Sequence, residues 1–162
     1  MNKTERLNVY LAAPLFNEQE RAFNNHLDKI ISAIATVFLP QRDGELLIEL
    51  LSKGYSPDES KSIIYTKDTL AIERCDILVA VLNGRTIDEG VAFEIGFARA
   101  LGKLCIGFKN DDRTLLHSGD NPMIELGCQK QCDSEDSLIT IIKECADAPS
   151  YLDNLIQLPQ NR

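Results

Sequence analysis

Histidine is scarce in this chain, with two residues, and none of its five cysteines forms a CxxC pair. A zinc centre needs about four nitrogen or sulfur ligands at close spacing. His26 and His117 are far apart, and the nearest cysteines, Cys128 and Cys132, have no obvious partners. No metal and no cofactor is therefore expected. An odd number of cysteines reads as reduced thiols in a reducing compartment. The chain also lacks a run of the ~20 apolar residues that span a membrane. The apolar run within MNKTERLNVYLAAPLF is too short for a secretory leader. The expectation is a cytoplasmic protein without a membrane partner. Basic residues are in deficit, 17 Lys and Arg against 25 Asp and Glu, and they are dispersed. Nucleic-acid binders cluster such residues to neutralise phosphates, so no nucleic-acid partner is expected. A small substrate with little charge fits better. No GxGxxG follows the first apolar run, which argues against a flavin or dinucleotide oxidoreductase.

What is present is an alternation of short apolar runs with longer stretches of helical period. Its 162 residues suit one domain, with no repeat or linker and an irregular tail from about residue 149. Strands are expected at residues 7–12, 37–39, 77–82 and 104–108, with a weaker one near 127–132. Helices are expected at 17–35, 45–53, 56–74, 88–101 and 134–145. Asn17 with Glu20 makes a capping-box pattern, and Pro57 suits a first helical turn. Such alternation implies right-handed βαβ units. The expected fold is α/β: an open, doubly wound, mostly parallel sheet with helices on both faces. Its ligand crevice lies outside the carboxyl ends of the strands. The loops to search are residues 13–19, 40–45, 83–88 and 109–123.

The loop and helix after the third strand hold the best candidates. Helical spacing puts Glu94 on one face with Val91, Ala98 and Leu101, a carboxylate within an apolar stripe. An unpaired charge there costs several kcal/mol, roughly. Asp88 lies near the helix start, where it serves as a cap or as a ligand group. Gly90 and Gly96 permit close approach. Asp68 interrupts a second apolar face with Ile64 and Ala71. Tyr10, in the first strand, is a core aromatic or a hydrogen-bond partner for an inward carboxylate. Phe16 either stacks on a base or staples the following helix. Gln41 and Asp43, after the second strand, read base edges or belong to an ordinary polar turn; Arg42 and Arg85 are phosphate candidates on the same footing. Carboxylates in different environments suit glycosidic cleavage, where one attacks the anomeric carbon and another protonates the leaving group.

Four blocks carry a resemblance. They are Val9-Tyr10-Leu11-Ala12-Ala13-Pro14, Lys67-Asp68-Thr69-Leu70-Ala71-Ile72-Glu73-Arg74-Cys75-Asp76, Ile87-Asp88-Glu89-Gly90-Val91-Ala92-Phe93-Glu94-Ile95-Gly96 and Asn121-Pro122-Met123. In order and content the chain resembles the nucleoside 2-deoxyribosyltransferase family over residues 7–127. The resemblance implies a flavodoxin-like or Rossmann-like sheet and transfer of 2-deoxyribose between nucleobases. It implies that Glu94 is the nucleophile, that Tyr10 orients it and that Asp68 moves the base's proton. Asp88 would bind sugar hydroxyls. Asn121 and Met123 would serve a neighbouring subunit's site, which makes the protein a homo-oligomer. Partners are then a deoxynucleoside and a free nucleobase. The same residues would serve an N-glycoside hydrolase, and a non-catalytic nucleotide sensor is the rival without chemistry. Two departures stand out: the tail ends in Arg162 rather than an aromatic residue, and residues 12–17 lack the Gly-Ser-rich loop of members that take 5′-monophosphates. The second favours a free nucleoside.

Overall fold

The computed structural model describes residues 6–117 and 119–157. Five strands form one sheet: β1 (Asn8–Ala12), β2 (Thr36–Phe38), β3 (Ile77–Val81), β4 (Leu104–Phe108) and β5 (Lys130–Cys132). All are parallel, in the order β2-β1-β3-β4-β5. This is the flavodoxin-like order, and the sheet changes direction of winding between β1 and β3. The expected fold class is the observed one.

Both faces of the sheet are covered, which is why its central strands read as unbroken apolar runs. Val9, Leu11, Val79, Ile106 and Phe108 face one layer, where Leu27 and Ile31 of α1 (Glu18–Ile31) meet Leu138 and Ile142 of α7 (Glu135–Asp147). Tyr10, Ala12, Leu78 and Ala80 face the other. There they meet Ile72 of α4 (Pro57–Arg74) and Val91, Ile95 and Ala98 of α5 (Glu89–Ala100). Gly107 in β4 is dictated by packing: a Cβ there would lie 2.7 Å from Leu82 Cδ1 and 3.3 Å from Cys128 Sγ. All five cysteines are free and buried among these layers.

Helix starts follow local chemistry. Asn17 and Glu20 form a reciprocal capping box at α1, and Ser56 and Glu59 form another at α4 behind Pro57. Other boundaries differ from expectation. α1 stops at Ile31, because residues 32–35 turn the chain into β2 through Ile34 and Ala35 N–H bonds to the Ile31 carbonyl. The turn at residue 40 is one helical turn, α2 (Pro40–Asp43), seeded by a proline at its first position. A short α3 (Leu47–Ser52) follows. The loop after β4 contains α6 (Pro122–Glu125). The tail is not irregular at 149–157: it forms α8 (Pro149–Gln157), whose Leu155 is 4% exposed against the α1–α7 side of the core. The remainder of that tail, and Arg162 with it, lies outside the described residues. No helix among them is long and apolar enough to cross a membrane.

Candidate active site

The crevice at the turnover between β1 and β3 opens as a cavity of about 610 Å³. Asp68 from α4, Asp88 before α5 and Glu94 on α5 are among the carboxylates that line it, together with Gly90 and Phe16. A second lobe of about 300 Å³ shares Asp68, Gly90 and Glu94 and opens beside Tyr65 and Phe93. Asp68 and Glu94 thus stand where the two lobes meet.

Glu94 is reached from below. Tyr10 is fully buried in β1, stacked on Phe38 at 5.4 Å, and its hydroxyl donates to Glu94 Oε1 at 2.5 Å. The apolar stripe of α5 runs through Val91, Ile95 and Ala98, while Leu101 is 42% exposed. Glu94 therefore sits at the edge of the stripe, half-buried, with its carboxylate on the cavity. Desolvation lifts its carboxyl to about 8; the Tyr10 hydrogen bond opposes this, and the charges of Asp68 and Asp88 add to it. Burial lifts Asp68 to about 6, against the pull of Lys67. One Asp68 oxygen is buried without a hydrogen-bond partner among the described residues, an expensive state unless something arrives to use it. Burial, then the charges of Glu94 and Asp68, push the Tyr10 phenol well above its ordinary range.

Asp88 caps α5 and also faces the cavity. Its Oδ1 accepts from the Gly90 and Val91 N–H groups as the α5 cap, and its side chain lines the cavity. A Cβ on Gly90 would come within 2.9 Å of that oxygen, so the glycine keeps cap and cavity compatible. Phe16 is 75% exposed at the rim.

Other candidates lie elsewhere. Gln41 is absent from the cavity wall: its amide donates to the Arg21 carbonyl and Asn25 and accepts from Asn24. Those bonds staple α2 to α1 and engage both N–H donors of Gln41 within the chain. Asp43 accepts from Leu39 N–H and from Arg42, and faces a separate groove at the β2 edge. Arg42 is committed to Asp43, Asp28 and the Val37 carbonyl. Asn121 caps α6 and lines a small cavity of about 230 Å³ with Arg85 and Ile87, while Met123 is 80% exposed. Within one copy neither lines the Glu94 cavity.

Residues that sequence reasoning passed over complete the wall. Arg21, Glu45 and the 46–48 segment line it. Lys67, beside Asp68, donates to Glu45 and to the Gly44 carbonyl, and so pins that segment to α4. An arginine in the second turn of an amphipathic helix carries no pattern that separates it from a solvated one. No cluster of three or more His, Cys, Asp or Glu side chains is placed to hold a metal among the described residues.

The chain aligns in space with a conserved protein of Enterococcus faecalis V583 (TM-score 0.68, 26% identity, 86% of this chain and 98% of that one). It also aligns with a 2-deoxyribosyltransferase of Bacillus psychrosaccharolyticus (0.66, 21%, 82% and 90%) and with one of Leishmania mexicana (0.58, 22%, 85% and 97%). No curated protein is matched by the sequence. The family model for nucleoside 2-deoxyribosyltransferases matches residues 9–155, nearly the whole described chain. On that match the chain belongs to the nucleoside 2-deoxyribosyltransferase family.

Proposed function

We propose that the protein transfers 2-deoxyribose from one nucleobase to another by double displacement at Glu94. The observation that carries this is a half-buried carboxylate on a cavity, held by a buried tyrosine hydroxyl at 2.5 Å. The Tyr10 bond fixes one oxygen and leaves the other for the anomeric carbon. A Glu94 oxygen forms the bond to C1′ while the C1′–N bond breaks and its electron pair goes to the base. Asp68, protonated more readily than an ordinary aspartate, supplies the proton that the departing base needs. Asp88 offers its carboxylate to sugar hydroxyls. A second base then attacks C1′, returns its proton to Asp68 and releases Glu94.

Asn121 and Met123 are proposed to complete the site of a neighbouring copy, since each is exposed and away from its own Glu94.

The test is incubation with a 2′-deoxynucleoside, with and without a second free base, following both bases by chromatography. A new deoxynucleoside that forms only with the acceptor is the expected result. Base released at the same rate without acceptor would mean that water takes the sugar and the protein is a hydrolase. Glu94→Ala is expected to lose at least about 10³-fold in turnover, the scale of removing a covalent nucleophile. Full activity in that variant would end the catalytic reading.

A further inference from the structure

Arg21 supplies the cation on the wall of the 610 Å³ cavity, against the carboxylates of Glu45, Asp68, Asp88 and Glu94. Its Nη1 donates to the Leu15 carbonyl at 2.9 Å, which lays the guanidinium along the loop after β1. That loop is itself held: buried Asn24 donates to the Pro14 carbonyl and to Gln41, and Gln41 donates to the Arg21 carbonyl. A guanidinium has five N–H donors and no acceptor. Among the described residues the Leu15 carbonyl is the acceptor Arg21 has, and no carboxylate pairs with it. The fold thus points an anchored, donor-only group at a ligand.

A phosphate is the first ligand to weigh, because the turn after β1 and the start of α1 commonly hold one. Here the chain has filled that place. Glu20 Oε2 accepts from Phe16 N–H at 2.8 Å and Asn17 N–H at 3.2 Å, and Asn17 Oδ1 accepts from Glu20 N–H. The backbone donors that would cradle an anion already hold the chain's own carboxylate. With Glu18 and Glu20 in the first helical turn and four carboxylates on the cavity wall, a dianion meets net repulsion that Arg21 alone opposes. A neutral heterocycle with concentrated lone pairs is not.

Leu15, Phe16, Leu47 and Ile48 give that end of the cavity apolar surface for a ring, and Arg21 meets its edge. Donor-only geometry discriminates among bases. Guanine and hypoxanthine present two adjacent acceptors, O6 and N7, which a guanidinium meets with two bonds. Adenine presents N7 beside an N6 amino donor, which opposes the guanidinium. In uracil and thymine each carbonyl oxygen is flanked by the N3–H donor, and the adjacent acceptors of cytosine, O2 and N3, lie beside the glycosidic N1 rather than on the edge remote from the sugar. Resting on the reading of Glu94 as the group that takes the sugar, we infer that Arg21 reads the O6/N7 edge of the base and makes the protein selective for 6-oxopurines.

The experiment is calorimetric titration of free hypoxanthine and free adenine into the wild type, Arg21→Met and Arg21→Lys. Unchanged thermal midpoints check folding. The wild type is expected to favour hypoxanthine by about five- to a hundredfold, the worth of one bidentate pair. Arg21→Met should erase that preference by weakening hypoxanthine alone, and Arg21→Lys should keep a small part of it. The inference is overturned by equal wild-type affinities, by no binding of hypoxanthine, or by Arg21→Met weakening both bases alike. It is also overturned if Arg21→Met spares hypoxanthine and weakens 2′-deoxyinosine 5′-monophosphate relative to 2′-deoxyinosine, which would assign Arg21 to phosphate. Free-base affinity is read without turnover. An inactive wild type that still prefers hypoxanthine through Arg21 would therefore count against the transfer reaction and not against this assignment.

Discussion

Glu94 and Asp68 hold one proton between them across the neutral range. The proposed transfer needs Glu94 ionised and Asp68 protonated, and with carboxyls at about 8 and about 6 that total of one proton persists between those values. The kcat/KM profile is expected to be bell-shaped, rising through about 6 and falling through about 8, with both limbs belonging to the pair. Tyr10→Phe removes the bond that lowers the Glu94 carboxyl. The alkaline limb should therefore move up and kcat should fall about ten- to a hundredfold, the worth of one hydrogen bond to a charged group. A kcat/KM that rises steadily with pH would contradict the pair. Stability gives an independent reading. The folded carboxyl of Glu94, at about 8, lies above the ordinary value of 4.5. Between those values the folded state binds the extra proton, so stability falls as pH rises through that window. Glu94→Gln escapes the loss. Denaturant unfolding should find it close to wild type at pH 4 and more stable at pH 9, by on the order of 1–3 kcal/mol.

The loop after β1 owes its shape to elements outside it. Asn24, 2% exposed on α1, donates to the Pro14 carbonyl and to Gln41, and this joins α1, α2 and the cavity wall. Asn24→Ala strands two acceptors, so it should cost about 1–3 kcal/mol in denaturant unfolding and raise KM more than it lowers kcat. An unchanged KM would detach the network from the site. These elements also mark how far the sequence could be read. The capping boxes at Asn17 and Ser56 were legible because both partners lie three residues apart in the chain. β3 and β4 were legible because burial on both faces leaves apolar runs, whereas β5, Lys130–Cys132, has no such run and gave only a weak signal. α2 and α6 were not, since four residues hold no period and a proline at the first position also suits a turn. α8 was missed because Pro149 reads as a break, whereas Leu155 and its neighbours fold that segment only by packing on the core. In the site, Glu94, Asp68 and Tyr10 stood out as polar groups in apolar patterns. Gln41 did not reveal that its amide donors were engaged within the chain, and Arg21 did not reveal that its guanidinium lacks a carboxylate partner, because both facts depend on how distant segments are placed.

At the scale of the whole molecule, the Asn121 loop is fastened rather than loose. Lys109 donates to both Asp120 oxygens and to the Gly84 carbonyl, which clips the loops after β3 and β4 together. The clip presents Asn121 and Met123 outward at a fixed place, the arrangement a second copy would need. If copies share sites, Glu94→Ala and Asn121→Ala should each be nearly inactive alone, yet regain activity when mixed under exchange conditions. In a randomly reassorted dimer, half the pairs are mixed and one of their two sites is intact, so about a quarter of wild-type activity should return. An active Asn121→Ala, or no recovery on mixing, would confine the site to one chain.

The five buried thiols give this fold a way of being watched. Burial pushes Cys75, Cys132 and Cys145 up to about 11 and Cys128 up to about 12. The native chain thus offers an alkylating reagent neither access nor thiolate. Each sulfur becomes reactive only while its own layer is open. Cys145 reports on the α7 layer, Cys132 on the last strand of the sheet, and Cys75, Cys105 and Cys128 on the side that carries Tyr10 and Glu94. Labelling rates, resolved by peptide mass, would therefore chart how often the floor of the Glu94 cavity breathes, and whether a bound base quiets it, with no probe added to the protein.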